Sequence, residues 1–211
     1  MIRTLGTVVV FALSVAFGAI AQAQPWEDGK HYRTLDNPVR TASENGIEVA
    51  EVFWYGCPHC YTFKPLVDSW AGQAPDDVNF VKLPAALGQS WEPHAYAFYA
   101  LEAMDELDKV HDALFVALAS ERRPLNTPEA LADFVSGHGV DADAFLNNYK
   151  SFGVRARVQQ AQSKIRGARI TGTPTMLVNG KYVVSASMAG SHEATLSVVD
   201  YLVEQERAVS Q

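Results

Sequence analysis

The sequence predicts an α/β fold in which two separated β segments form one sheet and an all-helical block is inserted between them. Three observations predict it. Ile47 to Tyr55 is dense in apolar and aromatic residues, as expected of a central strand buried on both faces. From about Gly88 to Arg166 apolar residues recur at helical spacing and no convincing strand is found. Beyond that block, Thr171 to Val178 and Lys181 to Val184 flank Asn179-Gly180, a strong hairpin signal. Two β segments that flank helices usually join one sheet.

The chain begins with one early charge, Arg3, then an uncharged run from Leu5 to Ile20, then Ala21-Gln22-Ala23. That pattern predicts a cleavable secretory signal peptide over residues 1–23, with an uncleaved anchor as the alternative. The remainder is long enough for one domain, or for one domain carrying an insertion. At 48% hydrophobic and 19% charged residues it can bury a core. A formal charge of −7 with no Lys/Arg block argues against nucleic acid or an anionic membrane surface as partner.

In order, His31 to Leu35 predicts a short edge strand ended by Asn37-Pro38, and Asn45-Gly46 a turn into the central strand. Cys57 to Trp70 follows as a helix with Phe63, Leu66, Val67 and Trp70 at helical spacing, bent at Pro65. Val78 to Leu83 is the next strand. Helices are expected over Glu92 to Met104, opened by Pro93; over Leu107 to Leu118; and from Asn126-Thr127-Pro128 to Val135, with a cap and a first-turn proline. Two more span Asp141 to Tyr149 and Val154 to Ile165, and Ala194 to Glu206 closes the chain.

The only two cysteines, Cys57 and Cys60, lie where the central strand gives way to a helix. A thiol at that junction sits over unpaired N–H groups at the positive end of the helix, which favours the thiolate. His59, when protonated, would add to this, and Pro58 suits the first turn because it lacks an N–H. Cys57 is therefore the expected nucleophile and Cys60, one turn on, the inward resolving thiol. A purely structural disulfide would close a very short loop and restrain the unfolded chain little. Zinc needs about four ligands, more than Cys57, His59 and Cys60 supply, so no metal is expected.

Strand alternation places two charges on apolar faces: Glu51 with Val49 and Phe53, and Lys82 with Val78 and Phe80. Buried charges are costly unless paired, so the two are expected to meet beneath the cysteine helix, where they could tune Cys60 or relay its proton. The alternative is that both reach solvent at strand ends. Trp54, Tyr55 and Tyr61 could offer substrates an apolar surface, although core packing is at least as good a reading of Trp54.

By these residues the chain resembles the DsbA group of thioredoxin-fold thiol:disulfide oxidoreductases. The resemblance rests on Cys57-Pro58-His59-Cys60, the proline in Gly172-Thr173-Pro174, the following Val178-Asn179-Gly180-Lys181-Tyr182, and the inserted helices. It covers nearly the whole mature chain. It implies a thioredoxin fold over 24–87 and 167–211 with a helical domain over 88–166. It also implies a cis-proline at Pro174 across from the cysteines, and a Thr173 peptide group that binds an extended substrate as if adding a strand. Glu51 and Lys82 fall where the family has a buried acid and lysine.

The implied function is a monomeric periplasmic oxidase that gives its disulfide to reduced exported polypeptides. It would need no cofactor beyond that disulfide and would be reoxidised by a DsbB-type membrane quinone reductase. Thr173, which is also seen in isomerase relatives, keeps a disulfide isomerase or reductase open. A non-catalytic peptide-binding chaperone and a glutathione-transferase-like relative are rival readings from different classes. Val183 to Ser191 departs from the family pattern, so the substrate groove is expected to differ there.

Overall fold

The strand Ile47–Phe53 (β2) is buried along its whole length, and the sheet forms around it. The computed structural model describes residues 26–43 and 45–209; the expected leader lies outside them. Among these residues the sheet order is β1-β5-β4-β2-β3, with β1 at Arg33–Thr34, β3 at Val78–Pro84, β4 at Thr175–Val178 and β5 at Tyr182–Val184. β2 and β3 run parallel, joined by helix α1 (Pro58–Ala71), while β4 pairs antiparallel with both β2 and β5. β1 closes the far edge against β5. It is shorter than the expected His31 to Leu35 run, because only two residues pair.

Between β3 and β4 come α2 (Glu92–Ala103), α3 (Leu107–Phe115), α4 (Pro128–Ser136), α5 (Ala142–Tyr149) and α6 (Phe152–Gly167). Local chemistry starts several of them. Thr127, Asp141 and Ser151 each cap a helix by accepting an N–H three residues on. The helix expected to reach Leu118 instead widens into a π-helical turn at Val116–Ser120, which buries Ala117, Leu118 and Ala119. A short helix α7 (Ala186–Ala189), which no periodicity marks, precedes α8 (His192–Val209), and α8 starts earlier and ends later than expected.

Two apolar clusters hold the layers together. One face of the sheet meets α1 and α8 through Val49, Phe63, Val67, Met176, Val199 and Leu202. The other cluster runs without a break from Ala50, Val52 and Leu177 of the sheet into Phe98, Leu114, Leu131 and Ile165 of the helical block. At about 1.5–3 kcal/mol for each large apolar side chain, this second cluster is what fixes the helical block to the sheet.

The Asn179-Gly180 turn brings in an outside segment. Both residues have positive φ, 48° and 63°, and Val39 N–H donates to the Gly180 carbonyl at 2.8 Å. A Cβ on Gly180 would lie 2.0 Å from the Val39 oxygen. Gly180→Ala is therefore expected to cost about 2 kcal/mol or more in denaturant unfolding, since the residue combines a left-handed conformation with a backbone clash. An unchanged midpoint would show that the turn relaxes freely.

Candidate active site

Helix α1 begins beside the sulfur of Cys57. Cys57 is its N-cap, in extended conformation, and Sγ accepts the Cys60 N–H at 3.4 Å. Pro58 occupies the first turn, where a missing N–H removes no helical hydrogen bond. Cys57 is 7% exposed and Cys60 is fully buried on the inner face of the helix with Phe63 and Val67. Both are free thiols here.

The Thr173-Pro174 peptide bond is cis. The Thr173 carbonyl lies 3.4 Å from Cys57 Sγ, so segments 116 residues apart in sequence face each other at the sulfur.

The two thiols are driven in opposite directions. The Cys60 thiol beside it lowers Cys57 most, against the cost of burial; Thr173 and the N–H groups of Cys60 and His59 lower it further, to about 5 from an ordinary 9.0. Burial, then the neighbouring Cys57, pushes Cys60 far above the ordinary thiol range. One sulfur is thus an anion at neutral pH and the other holds its proton. The His59 ring turns toward His192, at 6.5 Å between centroids, and its backbone N–H is the part that acts on Cys57.

Glu51 and Lys82 are partners in the parallel β2–β3 register. They do not close an ion pair: the Lys82 ammonium lies 5.3 Å from the centre of the Phe80 ring, and Glu51 Oε1 is buried without a hydrogen bond. Burial outweighs the attraction of Lys82 and raises the Glu51 carboxyl from 4.5 to about 8. The alternation of β2 and β3 located both residues; the balance between burial and charge needed the packing above them.

Of the aromatic residues expected to meet substrates, only Tyr61 is exposed. Tyr55 is in the core and shares a 2.7 Å hydrogen bond with His111 of α3, whose imidazole burial pushes down to about 3. Trp54 is partly buried, stacked on Trp91 at 4.2 Å, and its indole N–H donates to His94 Nδ1 at 2.9 Å. The other ring nitrogen, Nε2, therefore carries the proton and donates to the Leu125 carbonyl. These two histidines tie the residues just before Cys57 to the helical block. No local spacing marks them, because they lie 40 and 56 residues from their partners.

His94→Ala leaves the indole N–H without an acceptor. Unfolding is expected to become easier by about 1–3 kcal/mol, the cost of an unsatisfied buried donor. A loss well below that range would mean water reaches the indole freely.

A cysteine N-cap, a buried second thiol one turn later and a cis-proline facing them, on a mixed sheet with an inserted helical block, define a thioredoxin-fold thiol:disulfide oxidoreductase. Residues 84–195 match the model of the DSBA-like thioredoxin domain. The chain is 43% identical to the thiol:disulfide interchange protein DsbA of Pseudomonas aeruginosa over 208 residues, 99% of each chain. It is 44% identical to that of Azotobacter vinelandii over 207 residues, 97% of each. The crystal structure of Pseudomonas aeruginosa DsbA superposes with a TM-score of 0.84 at 45% identity, over 88% of this chain and 96% of that one. The oxidoreductase DsbA from Xylella fastidiosa gives 0.81 at 34%, over 86% and 98%. The chain belongs to the DsbA family of thiol:disulfide interchange proteins.

Proposed function

We propose that this protein is a dithiol oxidase that donates the Cys57-Cys60 disulfide to exported polypeptides. The observation that carries this reading is the opposed pair of thiols: a stabilised Cys57 anion is a good leaving group, and a stable reduced form makes the disulfide easy to give away.

In the oxidising direction a substrate thiolate attacks Cys57 Sγ. The Cys57–Cys60 bond breaks, and Cys60 leaves with the electron pair and takes up a proton. A second substrate thiolate then attacks the substrate sulfur of the mixed disulfide. Cys57 departs as the thiolate, so the protein gains two electrons and the substrate gains a disulfide. Glu51 and Lys82 tune the step at Cys60, Glu51 as a carboxyl able to hold a proton near neutral pH. The backbone of Thr173 and the ring of Pro174 guide an extended substrate past Cys57. Pro58 shapes the first turn of α1, and His59 contributes its N–H.

No cofactor beyond the disulfide is required. The working place is the periplasm, reached by way of the signal peptide, and a DsbB-type membrane quinone reductase restores the disulfide to a monomeric protein. No helix among the described residues is long and apolar enough to cross a membrane.

Oxidised protein mixed with reduced, unfolded ribonuclease is expected to form substrate disulfides at the rate at which its own thiols appear. Catalysis of scrambled-disulfide repair without net oxidation would instead favour the isomerase.

A further inference from the structure

We infer that the preferred substrates carry carboxylates within a few residues of the reacting cysteine, on either side of it. This rests on the oxidase reading above and names the substrate class that reading leaves open.

Two clefts flank Cys57. The larger, about 580 Å³, is lined by His59, His192 and Thr173 beside the cysteines and also by Met188, Arg33 and Arg169. The second, about 370 Å³, lies on the other side of Pro58, between Trp54 and the segment bearing Arg122 and Arg123. Among the described residues, neither lining contains a carboxylate. The whole chain has a formal charge of −7, so four arginines in the two grooves beside the sulfur run against the overall charge. A concave site lined by one sign of charge raises the local concentration of opposite charge and speeds encounter.

The arginines fall into two kinds. Arg33 donates to the Ala168 carbonyl at 2.9 Å, and Arg123 lies 4.9 Å from the centre of the Phe134 ring, so these two also hold structure. Arg122 and Arg169 are exposed on loops with positive φ, 56° and 52°. Each lines its cleft in a backbone conformation uncommon for a long side chain. Arg169 has one carboxylate near it, Asp36 at 3.7 Å, in an exposed contact that a substrate carboxylate can replace. Extended backbone against Thr173 leaves the substrate flanks to run into both grooves.

The test uses three dithiol peptides of one sequence, with Glu, Ser or Lys at the flanking positions, oxidised by the full protein. Arg122→Asn plus Arg169→Asn is the variant, because Asn accepts the left-handed conformation and spares the two structural arginines. The wild type is expected to oxidise the Glu peptide about tenfold faster in kcat/KM than the Lys peptide, with a gap that narrows in salt. In the variant that ratio falls to about threefold or less while the Ser peptide keeps its rate. No preference in the wild type, or equal slowing of all three peptides by the variant, overturns the inference. A protein that oxidises none of them overturns the oxidase reading itself, and this selection with it.

Discussion

At pH 7 the reduced protein is expected to unfold at higher denaturant concentration than the oxidised protein, the reverse of what a disulfide normally does. A thiol held at about 5 instead of 9.0 favours the folded dithiol form by about 3 kcal/mol at pH 7. The disulfide closes a loop from position 57 to position 60 only, and chain entropy credits so short a loop with about 2 kcal/mol. The thiolate wins. Because the folded value is depressed, the gain belongs to high pH and fades as pH falls through 5, so the order of stabilities should reverse at about pH 6.5. An advantage of about 3 kcal/mol corresponds to roughly 60 mV of extra oxidising power. Paired denaturant curves across pH, with ultraviolet absorbance of the thiolate, check both parts. An oxidised form that stays the more stable at every pH would refute the account, and Cys57→Ser should abolish transfer outright.

Glu51→Gln is expected to stabilise the fold at alkaline pH. The carboxyl rises from 4.5 to about 8 in the folded chain, so the native state holds a proton that the unfolded chain releases. Stability is therefore intact below about pH 4.5 and erodes as pH climbs to about 8, by up to about 4–5 kcal/mol. The amide removes that loss but brings N–H groups into a site where Oε1 already has no partner, at a cost of about 1–3 kcal/mol. A net gain of about 1–4 kcal/mol should appear at pH 8, with a loss of about 1–3 at pH 4.5. The reactivity of Cys60 should lose any pH break near 8 in the same variant. Parallel stability curves for wild type and variant would mean that Lys82 neutralises the carboxylate after all.

What could be read from the sequence was what repeats locally. The unbroken apolar run of β2, the proline and cap residues of α4, the Asn179-Gly180 turn and the cysteine spacing each carry their cause within a few residues. Glu51 was detectable because it interrupts a pattern of period two. Its protonation depends on the layers above and below, and alternation is silent about those. The bonds from Trp54 to His94 and from Tyr55 to His111 join segments that meet only after the helices pack. In the sequence each histidine stands alone. The π-helical turn at Val116–Ser120 likewise answers to burial of its alanines and Leu118, not to a breaker residue.

The apolar cluster that runs from the sheet into the helical block means the insert cannot be regarded as a detachable accessory. A chimaera that kept the sheet and the cysteine helix but exchanged these helices would leave an indole and a phenol, just ahead of the glycine before the reactive sulfur, with no imidazole to answer them. Any tilt of the inserted bundle is therefore transmitted to the catalytic loop through rigid rings. Drift in helices far from the chemistry would retune how readily the protein parts with its disulfide.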